Sequence, residues 1–211
     1  MAYKGFSQAG IRHWQGGQRR IGLTGGIASG KSSVGTYLAQ KGLPVLDADE
    51  FAHSALTLST PLTLEIIAHF GAIIQNPDAS INRRVLGNLI FQDPSARHWL
   101  EQRVHPIVVQ RFKEALRQLS SKATIVLMVP LLFEAGMEGL CSEVWLVHCE
   151  PEQQLKRLMQ RDNLTYRQAQ ARIVSQWPTV SKNHLADAVI SNSGTLNSWQ
   201  KRVDHLLDPD S

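Results

Sequence analysis

The sequence predicts an α/β fold, a parallel sheet flanked by helices. Short apolar runs alternate with segments of helical spacing along most of the 211 residues, the pattern that parallel strands joined by right-handed crossovers produce. The first apolar run ends in a glycine-rich segment, Gly25-Gly26-Ile27-Ala28-Ser29-Gly30-Lys31-Ser32, placed between a predicted strand and a predicted helix. A hydrophobic fraction of 43% against a charged fraction of 19% supplies a core and excludes a disordered chain.

The length suits a single domain over residues 19–211, preceded by an extension at 1–18. That extension (MAYKGFSQAGIRHWQGGQ) has no apolar h-region, so it reads as a flexible segment and not as a secretory signal. Arg20–Thr24 is a short apolar run ending in glycines, which suits a buried strand. Ser29–Lys41 carries Val34 and Leu38 at helical spacing, and Gly42 stops it. Leu43–Leu46 is a second short strand that ends at Asp47. Glu50–Leu58 and Pro61–Phe70 read as helices, with Pro61 suited to a first turn. Gly71–Asn82 is loop-like, and Pro94 opens a long helix running to about Leu119. A break is expected in that helix at His105-Pro106, because proline disfavours helix at the residue before it. Thr124–Val129 and Glu143–His148 read as strands, Pro151–Arg161 and Thr165–Gln176 as charged helices. Ala188–Ile190 is a last short strand and Thr195–Leu207 a closing helix.

The net charge is +4, yet no Lys/Arg block exceeds pairs such as Arg19-Arg20 and Arg83-Arg84. Small anionic ligands therefore suit the chain better than nucleic acid, which would call for an aromatic-basic stacking motif. Cys141 and Cys149 form neither a close pair nor a metal spacing, as expected of idle thiols in a reducing compartment. No run of 18 apolar residues exists, so no membrane span is expected and the cytoplasm is the expected location.

The glycine-rich segment matches G-x-x-x-x-G-K-[ST], the phosphate-binding loop or P-loop. Its glycines let consecutive N–H groups turn toward phosphate oxygens, and the following helix offers its positive end. Gly25, Gly26, Ile27, Ala28, Ser29, Gly30, Lys31 and Ser32 are thus expected to hold the phosphates of a nucleotide, which the resemblance given below makes ATP. Lys31 would bridge the β- and γ-phosphates, the Ser32 hydroxyl would reach Mg²⁺, and Ser33 would add an α-phosphate contact. Asp47-Ala48-Asp49 closes the second strand. A carboxylate there can orient or deprotonate an acceptor hydroxyl, hold a metal-bound water, or cap the helix that follows.

The segments GLTGGIASGKSS and VLDADEFAH resemble the opening of dephospho-coenzyme A kinases. NRRVLGNLIF, RVHPIV, VPLLFEAG, LKRLMQR, Gln176-Trp177-Pro178 and ADAVISN continue the resemblance in order, from about residue 20 to about 207. It implies a P-loop NTPase-type three-layer α/β/α fold with a parallel sheet, a helical substrate-binding region at about 50–119 and a lid at about 151–184. It further implies transfer from ATP, with Mg²⁺, to the ribose 3′-hydroxyl of dephospho-coenzyme A, the last step of coenzyme A synthesis. By position, Asp49 resembles the base, and Asp47 a supporting or metal-linked carboxylate. Arg83, His105, Pro130, Leu131 and Glu134 would line the acceptor pocket. Arg157 and Arg161 would neutralise the migrating phosphoryl group from the lid, and Asn192 would lie at the adenine. The chain departs from the family at Met128, where relatives often carry an acidic residue. A thioether does not suit a hard cation, so any metal-supporting carboxylate is expected at Asp47.

Rival readings are weaker. A GTPase would need N-K-x-D, and the nearest text is Ser181-Lys182-Asn183-His184. Another small-metabolite or nucleoside monophosphate kinase is disfavoured by the resemblance alone. Small-molecule partners are expected, with the chain a monomer or weak homo-oligomer.

Overall fold

A computed structural model describes residues 17–56, 60–194 and 196–208. The expected extension lies outside the described residues except for Gly17 and Gln18, as do positions 57–58 and 195 of the expected helices. Five strands form: β1 Arg19–Gly25, β2 Val45–Asp47, β3 Thr124–Met128, β4 Glu143–His148 and β5 Ala188–Ser191. They make one sheet in the order β2-β3-β1-β4-β5. β1 runs parallel to β3 and β4, and β4 parallel to β5, with Leu23 facing Met128 on one side and Trp145 on the other.

Strand side chains alternate between the two faces of the sheet, and each face is apolar. On one face Ile21, Leu23, Val126, Met128, Trp145, Val147, Ala188 and Ile190 join Val34 and Leu38 of α1 (Lys31–Gln40). Trp199 and Val203 of α9 (Leu196–Leu207) complete that cluster. Helical spacing of i, i+4 in both helices is what presents these residues together. On the other face a side chain at Gly22 would strike Cys141 and Leu132, so the segment after β3 lies close against the sheet there. Arg19 ties the first strand to the last helix, donating to the carbonyls of Leu206 and Leu207 and pairing with Glu143 at 2.5 Å. A cation at the end of α9 also suits its helix dipole.

The described residues divide into two compact units, one of 17–46 with 120–208 and one within 47–119. The second unit is helical: α2 Ala48–Ala55, α3 Pro61–Phe70, α4 Arg83–Gln92 and α5 Pro94–Gln118. α5 carries a buried stripe, Leu100, Val104, Val108, Phe112 and Leu116, against which α2 and α4 pack. Phe51 of α2 meets Phe112 edge-on at 5.0 Å. Three short elements of the first unit complete the order: α6 Pro151–Asp162, α7 Tyr166–Val174 and α8 Thr179–Asn183.

Three local expectations are corrected. α5 does not break at His105 but continues through Pro106. The proline costs about 3 kcal/mol in a helix interior, and Val104 and Val108 are buried on either side of it, so packing holds the helix together. The helix at 83–92 was not expected; Asn82 caps it by accepting from the Val85 N–H at 3.2 Å, and Leu86 anchors it in the core. The helix after β2 starts at Ala48, two residues before the expected Glu50, because Asp47 caps it.

Candidate active site

β1 delivers the glycine-rich loop and α1 takes it away. Ala28 has φ 57° and Gly30 φ 94°, so left-handed residues alternate along the loop. That alternation curls successive N–H groups toward one side, the geometry of an anion-binding nest. Left-handed backbone in an alanine costs of order 1–2 kcal/mol and persists where surrounding structure enforces it. α1 begins at Lys31 with Gly30 as N-cap and no side-chain cap, and the Ser33 N–H turns back to the Gly30 carbonyl at 3.0 Å. Lys31 itself is nine-tenths buried, whereas Ser32 and Ser33 are exposed at the helix start.

The loop is held from outside by side chains of the same unit. Gln154 Nε2 donates to the Ile27 carbonyl at 2.8 Å, and the Ile27 N–H donates to Gln176 Oε1 at 2.8 Å. Asn192 Nδ2 donates to the Ser29 carbonyl at 2.9 Å. A side chain at Gly26 would come within 2.8 Å of Gln154 Nε2, and one at Gly30 within 1.9 Å of Asn192 Nδ2. Gly25 is equally constrained, since a Cβ there would lie 2.5 Å from the Val147 carbonyl. The Ser29 hydroxyl is buried without a hydrogen-bond partner, and its N–H bonds back to the Gly26 carbonyl at 3.1 Å. Ser29 therefore shapes the loop from beneath.

The two α6 arginines have different surroundings. Arg157 donates to the Asn192 carbonyl at 3.1 Å and so touches the residue that clamps the loop. Burial pushes the neighbouring Cys149 thiol above its usual range, against the opposing pull of Arg157. Arg161 is more exposed and forks onto Asp162 at 2.7 and 3.1 Å, a carboxylate that also accepts from Arg172 at 2.8 Å. Those hydrogen bonds, Arg161 first, hold the Asp162 carboxyl below its usual range.

Pro130, Leu131 and Glu134 follow the carboxyl end of β3, and the Thr24 hydroxyl donates to the Pro130 carbonyl at 3.1 Å. Glu134 pairs at 2.6 Å with Lys182, which is 1% exposed, and accepts from the Trp177 N–H at 3.3 Å. Removing either member of a buried pair leaves an uncompensated charge, so this contact fixes the segment around residue 177. Met128 is buried in the core against Gly35 of α1. Its thioether fills space there and is not a ligand.

In the helical unit, Asp47 is the N-cap of α2 and accepts from the Asp49 N–H at 2.9 Å. Asp49 is an exposed residue of the first turn, where a carboxylate also suits the helix dipole. Arg83 grips His53 twice, through the ring Nε2 and, at 3.0 Å, through the backbone carbonyl. A guanidinium only donates, so Nε2 of His53 must accept and its ring proton must sit on Nδ1. His105 is half-buried in α5, and burial pushes its imidazole below the usual range while Glu101 pulls it back. Among the described residues no group of three or more His, Cys, Asp or Glu side chains converges as a metal cage.

The structure thus brings Gly25–Ser33, Asn192 and Arg157 together in the first unit. Sequence reasoning missed Gln154 and the loop-holding role of Gln176. Gln154 gave a faint signal as a polar residue on the buried side of a charged helix.

The family model described as dephospho-CoA kinase matches residues 19–198. A dephospho-CoA kinase of Synechococcus sp. (strain CC9605) is 53% identical over 191 residues, covering 90% of this chain and 92% of the relative. Among solved structures, TT1252 from Thermus thermophilus is 32% identical with a TM-score of 0.78, covering 92% of this chain and 98% of that one. A dephospho-CoA kinase from Campylobacter jejuni is 28% identical with a TM-score of 0.66, covering 91% and 98%. With its parallel sheet, its nest between β1 and α1 and these matches over nearly the whole described length, the chain belongs to the dephospho-CoA kinase family.

Proposed function

We propose that the chain transfers the terminal phosphoryl group of ATP to the ribose 3′-hydroxyl of dephospho-coenzyme A, giving coenzyme A. The observation that carries this reading is an anion nest with a buried lysine, Lys31, in a chain matched by the dephospho-CoA kinase family model over residues 19–198. Phosphoryl transfer needs little covalent chemistry from the protein; it needs positioning and charge stabilisation. The loop amides and Lys31 supply the charge around the phosphates. Asp49 orients or deprotonates the acceptor hydroxyl. Arg83, His105, Pro130, Leu131 and Glu134 recognise the acceptor. Arg161, paired only at the surface, exchanges Asp162 for the migrating phosphoryl group. Arg157 and Asn192 act at the nucleotide through the loop they hold.

Ser32 and Asp47 are the oxygen donors the chain offers to Mg²⁺. Ser32 is exposed at the start of α1, and the cap bond engages one Asp47 oxygen and leaves the second available. Mg²⁺ keeps waters and takes most of its contacts from substrate phosphates, so a large protein cage is not needed. Bound there, the ion neutralises developing phosphate charge. The partners are small molecules and not nucleic acid, and the proposed location is the cytoplasm, with the chain a monomer or weak homo-oligomer. Among the described residues no helix is long and apolar enough to cross a membrane.

ADP release measured with dephospho-coenzyme A, shikimate or a nucleoside monophosphate as acceptor tests the reading. Stimulation by dephospho-coenzyme A alone is expected. Stronger stimulation by either rival acceptor would overturn it.

A further inference from the structure

Lys182 of α8 is more deeply buried than the loop lysine itself, 1% exposed against 9% for Lys31, and the proposed transfer makes no use of it. Its ammonium meets the Glu134 carboxylate at 2.6 Å, and the second oxygen of that carboxylate is buried without a hydrogen-bond partner. An ion pair so far from water gives up hydration on both groups, and well-packed apolar residues would serve stability as well. Stability alone therefore does not account for the pair.

Both of its ends are anchored. Glu134 follows the buried Leu132 and Phe133 after β3, and the Ala135 N–H donates to the Leu131 carbonyl at 2.8 Å. The Lys182 carbonyl accepts from Leu185 and Ala186 at 3.0 and 3.1 Å, and Asp187 accepts from the Val144 N–H of β4 at 2.6 Å. The Glu134 oxygen that meets the ammonium also accepts from the Trp177 N–H at 3.3 Å. That N–H belongs to the rigid peptide plane that starts at the Gln176 Cα. On its other side, the Gln176 N–H donates to the Ile173 carbonyl at 3.2 Å. Gln176 is thus gripped before and after, and its side chain accepts from the Ile27 N–H of the loop at 2.8 Å. A glutamine side chain loses rotamer freedom when it braces a loop, and a fixed backbone makes that bracing easier to sustain.

We propose that Lys182 is a positioning residue for the phosphate loop. Its ammonium sets Glu134, Glu134 sets the peptide between Gln176 and Trp177, and Gln176 then holds Ile27 in the shape that receives nucleotide phosphates. Every link lies within the first unit. This role rests on the reading of Gly25–Ser33 as the phosphate loop.

Amide hydrogen exchange followed by NMR, with calorimetric titration of ADP and Mg²⁺, tests it in Lys182→Met, Gln176→Ala and the two combined. Gln176→Ala is expected to speed exchange at Ile27 and to weaken ADP by about threefold to tenfold, the net worth of one hydrogen bond, with exchange at Trp177 unchanged. Lys182→Met is expected to speed exchange at both Trp177 and Ile27 and to weaken ADP by a similar factor. The combined variant is expected to bind ADP no more weakly than the weaker single variant, because both changes break one chain of contacts. Lys182→Met/Glu134→Leu leaves no charge unpaired and carries the same expectation where the single change does not fold. Exchange speeded evenly across the sheet, Leu23 and Trp145 included, with ADP affinity intact would mark the pair as purely structural and overturn the inference. Losses of ADP affinity that multiply in the combined variant would overturn it too. Lys31→Ala tells the two readings apart. If it binds ADP as tightly as the wild type, the phosphate-loop reading fails and the inference falls with it; if it is weakened while Lys182→Met is not, the inference alone fails.

Discussion

At Gly30 the backbone and a distant side chain decide the loop together. Its φ of 94° favours glycine, and a methyl group there would lie 1.9 Å from Asn192 Nδ2, which holds the Ser29 carbonyl. Gly30→Ala is expected to abolish measurable ATP binding in a titration, and retained affinity would show that Asn192 moves without consequence. The carboxylates of Asp47 and Asp49 separate in a similar way. From sequence, Asp49 was as good a cap as a catalytic group, because the helix was expected to start at Glu50. The cap is Asp47, so Asp49 is not needed for that purpose. Asp49→Asn is therefore expected to lower single-turnover transfer by roughly 10²–10⁴-fold, the range for a positioned acid–base group, while Tm barely moves, since only a helix-dipole charge is lost. Asp47→Ala is expected to lose about 1 kcal/mol of stability through the cap. If instead Asp49→Asn transfers phosphate at the normal rate, no carboxylate role belongs to Asp49.

At the scale of elements, α6 presents Arg157 and Arg161 four residues apart on one helix, and sequence alone treats them alike. Their partners distinguish them: a backbone carbonyl at the loop clamp for one, a surface carboxylate for the other. If Arg161 has the proposed lid role, Arg161→Ala is expected to lower kcat while ATP affinity holds, because the lost interaction would be one made with charge that develops only in the transition state. Steady-state kinetics showing kcat/KM within about twofold of wild type would remove Arg161 from the lid role. α5 carries a different consequence. Its half-buried His105 has a depressed pKa, so the unfolded chain binds this proton more readily than the folded one. Its contribution to stability is present above the ordinary histidine value of about 6.5 and is lost as pH falls through the lower folded value. Denaturant unfolding between pH 7 and 5 is expected to show that loss in the wild type and a flatter profile in His105→Gln; identical profiles would contradict it. Proline statistics predicted a break here and tertiary packing overrode them, as the stripe from Leu100 to Leu116 shows.

Over the whole molecule, what was legible in the sequence was what is contiguous in it. The strands of the sheet are short runs of apolar residues, and the loop is one unbroken segment whose chemistry follows from its spacing. α4 escaped notice because Gly87 and its polar residues dilute its pattern, although Asn82 is a recognisable cap. The contacts that hold the loop were not legible, because Gln154, Gln176 and Asn192 reach it across 127, 149 and 163 residues of chain. No local pattern marks a glutamine that will meet a carbonyl so far away. The packing of Met128 against Gly35 was likewise not legible, because the two lie far apart in the chain.

The central claim is that a loop built to hold ATP delivers its terminal phosphoryl group to one hydroxyl of dephospho-coenzyme A. Phosphorus NMR of the purified reaction product tests this most directly, with Lys31→Ala run in parallel. A single new phosphomonoester coupled to the ribose 3′ proton, absent from the Lys31→Ala reaction, is the predicted result. ATP consumed without that signal, or a phosphate placed on any other oxygen of the acceptor, would contradict the account.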